Sequence, residues 1–202
     1  MKKLLLTFLF SVLSLSTVSA QLFDEATNGD ASNDASNPTL LELSVGSNLV
    51  SGTVTQSNDI VDGDIDFFTF TIAEGQSLDA IFLPAFEPGD RGFHAINSGP
   101  TGIAPSGPNA GDVSQFLGSN HLSRTDGNLL DSLGQAIAGT GFDGPLGPGT
   151  YSYIVQQTGS VVSNYTLDFT VVPEPATGSL ANLLVCGLAL LSVMRRKRSI
   201  NG

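Results

Sequence analysis

Cysteine, lysine and tryptophan are all absent between residues 21 and 172. The single cysteine of the chain, Cys186, lies outside that region, so no disulfide can hold it together and a hydrophobic core of Phe, Tyr and aliphatic residues has to do so. The region has two bases, Arg91 and Arg124, against 18 acidic residues, which gives a net charge of −16. Because such a charge repels phosphate groups, nucleic acids and anionic membrane surfaces are poor partners.

Recognisable catalytic motifs are also missing from the sequence. It has no Gly-x-Ser-x-Gly elbow, no phosphate-binding loop and no His-Glu-x-x-His helix. His94 and His121 each stand without a second histidine or a cysteine at metal-ligand spacing. We therefore expect a protein that is not an enzyme. Two carboxylates that folding brings together for sugar hydrolysis remain an alternative.

The first 20 residues have the three parts of a secretory signal peptide. Lys2 and Lys3 give a positive start, residues 4–13 form a short apolar core, and residues 18–20 end in two small side chains. We expect signal peptidase to cut after Ala20 and the protein to be exported.

The last 30 residues, 173–202, form a second sorting segment. Residues 176–194 carry no charge, and a helix of that length spans about 28 Å, close to the thickness of a bilayer's hydrocarbon core. Immediately after it comes a basic cluster, Arg195, Arg196, Lys197 and Arg198. Since basic residues stay in the cytoplasm, the sequence predicts a single transmembrane helix with the body outside the inner membrane.

The order of Pro173-Glu174-Pro175, apolar helix and arginine cluster resembles the PEP-CTERM sorting signal of Gram-negative bacteria. The resemblance implies that exosortase, a membrane transpeptidase, recognises Pro173, Glu174 and Pro175 and that the tail is removed near them. It also implies transient anchoring in the inner membrane, followed by a place at the cell surface or outside the cell in association with exopolysaccharide and biofilm. A plain C-terminal anchor with a proline-rich hinge is the alternative.

The alternation of apolar and polar residues predicts strands in the body. The expected strands cover 39–45, 47–55, 66–72, 77–82, 150–156 and 164–171. Only residues 129–138 are expected to form one or two helical turns. We therefore predict an all-β fold, an antiparallel β-sandwich of seven to nine strands over residues 39–172. An acidic N-terminal arm without regular structure, residues 21–38, is expected to precede it.

The middle of the predicted sandwich, residues 88–149, is rich in glycine. Segments such as 98–102 and 106–111 predict long loops, which are usually functional or mobile. Short strands are expected between these loops near Phe93, Ile96, Phe116, Leu117 and Leu122.

A second resemblance covers the body, from about residue 24 to residue 172. Residues 46–54, 64–72, 75–78 and 147–153 are similar to segments of the bacterial pre-peptidase C-terminal domain. The resemblance implies a jelly-roll-like β-sandwich of the kind that is usually attached to secreted peptidases. Some members of that family bind calcium or collagen. Unlike in that setting, we expect no peptidase domain ahead of this sandwich.

The best candidate site is acidic. Asp59, Asp62, Asp64 and Asp66 fall within eight residues, and the last three alternate, so an extended chain points them the same way. Carboxylates that face one another repel unless a cation lies between them, and the hard, oxygen-seeking calcium ion suits such a site. The alternative is a solvated acidic turn at the start of a strand.

The second resemblance adds ligands from the N-terminal arm to this candidate calcium site. The positions that match the family's calcium-binding members are Asp24, Glu25, Asn28 and Asp30, together with Asp64 and Asp66. We therefore take Glu25, Asp62, Asp64 and Asp66 as the expected calcium ligands. Bound calcium would fasten the arm to the sandwich.

Three possible functions remain after this search for motifs. We expect a non-catalytic cell-surface or extracellular-matrix protein that binds polysaccharide or other extracellular material. The alternatives are a small secreted hydrolase that acts on the same material, and a purely structural module whose only ligand is calcium.

Overall fold

The computed structural model describes residues 19–55, 63–88, 92–105, 111–135, 139–159 and 161–175. Most of the predicted signal peptide, the predicted transmembrane helix at 176–194 and the basic cluster Arg195–Arg198 lie outside these ranges. Within the described part of the chain, no helix is long and apolar enough to cross a membrane.

Nine strands and two short helices make up the regular structure of the described residues. The strands are β1 Ser19–Asp24, β2 Thr39–Leu41, β3 Gly46–Val54, β4 Ile65–Ile72, β5 Gln76–Glu87, β6 Gly92–Ser98, β7 Gly118–Leu122, β8 Gly149–Gln157 and β9 Ser163–Pro173. The helices are α1 Glu25–Asn28 and α2 Leu129–Gly134, and a 3-10 turn covers Val113–Gln115.

The strands form two sheets that pack together as a β-sandwich. The first sheet has the order β1-β3-β9-β5 and the second has the order β2-β4-β8-β6-β7. The prediction of an all-β sandwich is confirmed, but that of wholly antiparallel pairing is wrong. Both sheets are mixed, because β1 runs parallel to β3 and β2 runs parallel to β4.

Residues of alternating character fill the space between the sheets. The even-numbered residues Phe68, Phe70 and Ile72 of β4 are buried, as are the odd-numbered residues of β9 that begin at Tyr165. The rings of Phe70 and Phe169 meet edge to face with their centroids 5.5 Å apart. Apolar residues therefore cover the inner faces of both sheets, as the period of two in the sequence predicts.

A second, smaller apolar cluster covers the outer face of the second sheet. Ile65, Phe67 and Ile154 point to that side and are buried, because the segment after β6 folds over them. Gly102 lies so close to this cluster that a Cβ atom there would come within 2.7 Å of the Phe67 ring.

The glycine-rich middle contains more regular structure than long loops alone. Phe93 and Ile96 lie in β6 and Leu122 lies in β7, as predicted, whereas Phe116 and Leu117 lie between the 3-10 turn and β7. The predicted one or two helical turns are α2.

The N-terminal arm, residues 21–38, has regular structure, and the prediction that it has none is wrong. β1 adds to the edge of the first sheet, α1 follows directly, and Ser32 bridges to Phe67 of β4. Ser19 and Ala20 already pair with Ser47 and Asn48, so β1 crosses the expected cleavage position. Backbone pairing with β3 orders a segment whose composition is typical of a loop.

Candidate metal centre

Three carboxylates meet where the N-terminal segment contacts the start of β4. One oxygen atom from each of Glu25, Asp30 and Asp66 lies within 4.8 Å of the corresponding atoms of the other two. Glu25 belongs to α1, Asp30 follows that helix, and Asp66 is the second residue of β4. Three segments that are distant in sequence therefore contribute to one cluster, which we call the carboxylate cluster.

The local sequence explains why α1 places Glu25 and Asp30 side by side. Asp24 caps the helix, since its Oδ1 accepts a hydrogen bond of 3.0 Å from the Ala26 amide. Gly29, with a φ of +88°, ends the helix after one turn, and its amide donates to the Glu25 carbonyl oxygen at 3.0 Å. The chain thus turns back at once and brings Asp30 close to Glu25.

Glu25 is held by hydrogen bonds from the backbone on both sides. Its Oε2 accepts from the Thr53 amide at 2.7 Å and from the Thr53 hydroxyl at 3.1 Å. Its Oε1 accepts from the Ala31 amide at 3.2 Å. Gly52 leaves room for this side chain, because a Cβ atom there would lie 2.7 Å from the Glu25 carboxyl.

Asp66 is the buried member of the cluster. It has the same parity as Phe68 and Phe70, so it points between the sheets, and its exposed fraction is 0%. The Tyr165 hydroxyl donates to its Oδ2 at 2.5 Å, while its Oδ1 is buried and has no hydrogen-bond partner among the described residues. The pKa of Asp66 is raised to about 9, mainly by burial; the Tyr165 hydrogen bond opposes this rise, and the charges of Glu25, Asp64 and Asp30 contribute to it.

Asp64 lies beside the cluster, and the charges of the cluster affect its pKa. The pKa of Asp64 is raised to about 6, mainly by burial and also by the charges of Asp30 and Glu25, against a hydrogen bond from Asn33. Its Oδ1 is also buried without a hydrogen-bond partner among the residues described. Four carboxyl groups therefore share one partly buried site, and the pKa values of Asp64 and Asp66 lie above the usual acidic range.

The spacing of the carboxylate cluster fits a calcium ion. Calcium takes oxygen ligands at about 2.3–2.6 Å, so two oxygen atoms on opposite sides of the ion lie about 4.6–5.2 Å apart. The three oxygen atoms here fall within that limit. A carboxylate oxygen has two lone pairs, and Oε1 of Glu25 accepts only the hydrogen bond from the Ala31 amide, so this oxygen has room for a cation.

The structure brings together some of the expected ligands. Glu25 and Asp66 lie in the cluster with Asp64 beside them, whereas Asp62 and Asp59 lie outside the described residues. Asp30, which only the second resemblance indicated, is a full member. The other two arm residues act locally: Asp24 caps α1, and Asn28 accepts a hydrogen bond from the Asp24 amide at 2.9 Å.

The expected sorting residues stand where the sandwich ends. β9 ends at Pro173, which pairs with Gln76, and the Glu174 amide donates to the Gly75 carbonyl oxygen at 2.8 Å. Pro175 is the last described residue. The proline-rich motif therefore begins directly where the last central strand leaves the first sheet.

Outside the cluster, His94 and Tyr153 form a second buried polar group. The His94 Nδ1 lies 2.8 Å from the Tyr153 hydroxyl, and both side chains are inaccessible to solvent. Burial lowers the pKa of His94 to about 3, with a smaller contribution from His121. This pair belongs to the core and is out of reach of a substrate.

Neither a protein-family model nor a curated protein matches this chain.

Proposed function

We propose that this chain is an exported, non-catalytic cell-surface or extracellular-matrix protein whose β-sandwich is stabilised by calcium. Asp66 carries this proposal: it is a fully buried carboxyl group with one unpartnered oxygen, in contact range of two further carboxylates. A buried carboxylate without a partner is costly, so a group of this kind pairs with a cation or keeps a proton.

A bound calcium ion would offset the cost of burying the Asp66 carboxylate and would also join two parts of the fold. Bound by Glu25, Asp30 and Asp66, with Asp64 as a further ligand, it would link α1 and the loop behind it to the start of β4. A ligand that binds only the folded state stabilises it by mass action, by about 2.7 kcal/mol at a hundred times its dissociation constant. Millimolar calcium is ordinary outside cells, where even weak sites fill.

The position of Asp66 favours this reading over a hydrolase. A general acid has to come within hydrogen-bond reach of the bond that it protonates. Asp66, whose pKa is raised to about 9, is 0% exposed, and its Oδ2 is covered by the Tyr165 hydroxyl. A glycosidase would need two carboxyl groups in an open cleft, one of them with a raised pKa so that it can act as the general acid.

The ends of the chain supply the delivery part of the proposal. Signal peptidase would act after Ala20, and exosortase would recognise Pro173, Glu174 and Pro175 while the predicted helix at 176–194 holds the chain in the inner membrane. The protein would then be at the surface of a Gram-negative cell, in association with exopolysaccharide. The same proposal includes a jelly-roll-like arrangement of the sandwich and a relationship to the pre-peptidase C-terminal domain.

Thermal unfolding of the full-length chain in detergent tests the calcium centre. Millimolar calcium should raise the melting temperature by several degrees relative to calcium-free buffer, because it binds the folded state. Asp66→Asn keeps an oxygen acceptor for Tyr165 but cannot become a carboxylate that binds calcium, so the variant should lose the shift.

Glu74→Gln is the matched control for that experiment. Glu74 is exposed and lies at the other end of β4 from the cluster, so this variant should keep the full calcium shift. A wild-type chain that melts at the same temperature with and without calcium would contradict the proposal, as would an Asp66→Asn variant with an unchanged shift.

A further inference from the structure

A cleft of about 430 Å³ lies on the outer face of the second sheet. One wall is the turn at residues 33–36, and the other walls are residues 101–104 and 111–115. Its volume falls in the range of small-molecule sites, about 300–1,000 Å³. The carboxylate cluster and the expected sorting residues are not part of its lining.

Hydrogen bonds between the walls hold the cleft open in a defined shape. The Gly102 amide donates to the Ala35 carbonyl oxygen at 2.7 Å, and the Gly111 amide donates to the Ala104 carbonyl oxygen at 2.9 Å. Ala35, Ile103 and Ala104 also pack on the apolar cluster that covers this sheet. A preformed site loses little conformational entropy when a ligand binds, so this cleft is suited to a small polar ligand.

Two carboxylates give the cleft its charge. Oδ1 of Asp34 accepts from the Ser36 amide at 2.9 Å and its hydroxyl at 2.6 Å, and Oδ1 of Asp112 accepts from Ser114 in the same way at 3.0 and 2.6 Å. These hydrogen bonds lower the pKa of both side chains, so both are ionised at neutral pH.

No lysine or arginine is among the described residues that line the cleft. The sequence contains no lysine or arginine from residue 4 to residue 90 or from residue 92 to residue 123. The cleft therefore repels anionic ligands such as uronic acids and sulfated sugars. It attracts a ligand with positive charge, and Thr101 and Gln115 add neutral partners for hydroxyl groups.

We propose that this cleft binds an amine-bearing saccharide, with its ammonium group on Asp34 and Asp112 and its hydroxyl groups on Thr101 and Gln115. This inference rests on the proposed function, because it names the site and the class of polysaccharide that the exported protein would bind. The negative charge of the whole body, −16 over residues 21–172, steers the same class of ligand towards it.

Isothermal titration calorimetry with short glucosamine oligomers tests this site on the full-length chain in a sugar-free detergent. The oligomers should bind at one site, and their N-acetylated counterparts, which lack the charge, should bind at least about tenfold more weakly. Since each carboxylate is exposed, Asp34→Asn and Asp112→Asn should each weaken binding about three- to fivefold, and the double variant about tenfold or more. Asparagine keeps the Oδ1 acceptor, so the turns themselves should persist.

Asp143→Asn removes the same charge from an exposed position away from the cleft and should leave the affinity unchanged. An absence of binding, equal binding of the N-acetylated oligomers, or an equal loss in Asp143→Asn would overturn the site. The calcium shift of the melting temperature is recorded on the same samples. A calcium shift without saccharide binding would contradict the saccharide site and support the metal centre. Saccharide binding without a calcium shift would support the saccharide site and contradict the metal centre.

Discussion

At the residue scale, Gly52 determines how closely β3 approaches the carboxylate cluster. It pairs with Tyr165 of β9, and a Cβ atom at this position would lie 2.6 Å from the Tyr165 hydroxyl and 2.7 Å from the Glu25 carboxyl. Both neighbours hold the cluster together, so any side chain here would have to displace one of them.

Gly52→Ala should therefore destabilise the protein by about 1–3 kcal/mol and weaken calcium binding, because the added methyl group overpacks this contact. Urea unfolding with and without calcium measures both effects. Gly127→Ala is the control, since a Cβ atom there meets nothing within 4 Å. Equal stability of the two variants would show that Gly52 is not a packing constraint.

His94 makes the stability of the protein depend on pH. Its pKa is about 3 in the folded protein, because burial disfavours the charged ring, and about 6.5 in the unfolded chain. Its contribution is therefore complete above pH 6.5 and is lost as the pH falls from 6.5 towards 3. Between these values the unfolded chain binds a proton that the folded protein does not.

Compared with a His94→Gln variant, the wild-type protein should lose about 2–3 kcal/mol more stability between pH 6.5 and pH 4.5. Urea unfolding in calcium-free buffer measures the difference, and the titration of Asp64 and Asp66 is common to both proteins. His121→Gln, which changes an exposed ring, should follow the wild type. Parallel pH profiles for wild type and His94→Gln would contradict the assignment of a buried neutral His94.

At the element scale, the sequence predicts the central strands well and the edge strands poorly. β4, β8 and β9 each have one face in the core, so their alternation shows them to within about one or two residues. β1 was missed, because it has few apolar residues and is ordered mainly by its backbone pairing with β3. The parallel pairings of β1 and β2 are equally invisible, since alternation carries no information about strand direction.

The candidate site was predictable only in part, because the sequence shows local alternation but not which distant segments meet. The alternation of Asp64 and Asp66 along the start of β4 is local and can be read directly from the sequence. Asp30 enters the cluster because α1 ends after one turn at Gly29. Where so short a helix ends, and what it then packs against, cannot be read from the local sequence. That Asp66 shares the inward face of Phe68 and Phe70 follows from parity, and this was the available signal that it is buried.

At the scale of the whole molecule, the expected sorting motif is continuous with the last strand of the sandwich. Pro173 still pairs with Gln76, so a cut near the motif would leave β9 almost intact. The proposed recognition by exosortase and the folded state of the body can therefore be tested separately by substitution.

Replacing Pro173, Glu174 and Pro175 by alanine should leave the protein in the inner membrane, because exosortase would no longer recognise the tail. Fractionation of cells that carry exosortase measures where the protein accumulates. Pro38→Ala, a proline change outside the tail, should be sorted normally. Normal release of the triple variant would contradict the proposal that exosortase sorts this protein.

The central claim is that calcium fastens the N-terminal segment to the sandwich. Hydrogen–deuterium exchange of the full-length chain, with millimolar calcium and after calcium removal, tests it most directly because it reports local opening. We predict that calcium slows exchange mainly at residues 19–33 and at the start of β4, while the centres of β8 and β9 change little. Equal exchange of residues 19–33 in both conditions, or an effect spread evenly over the sandwich, would contradict the account.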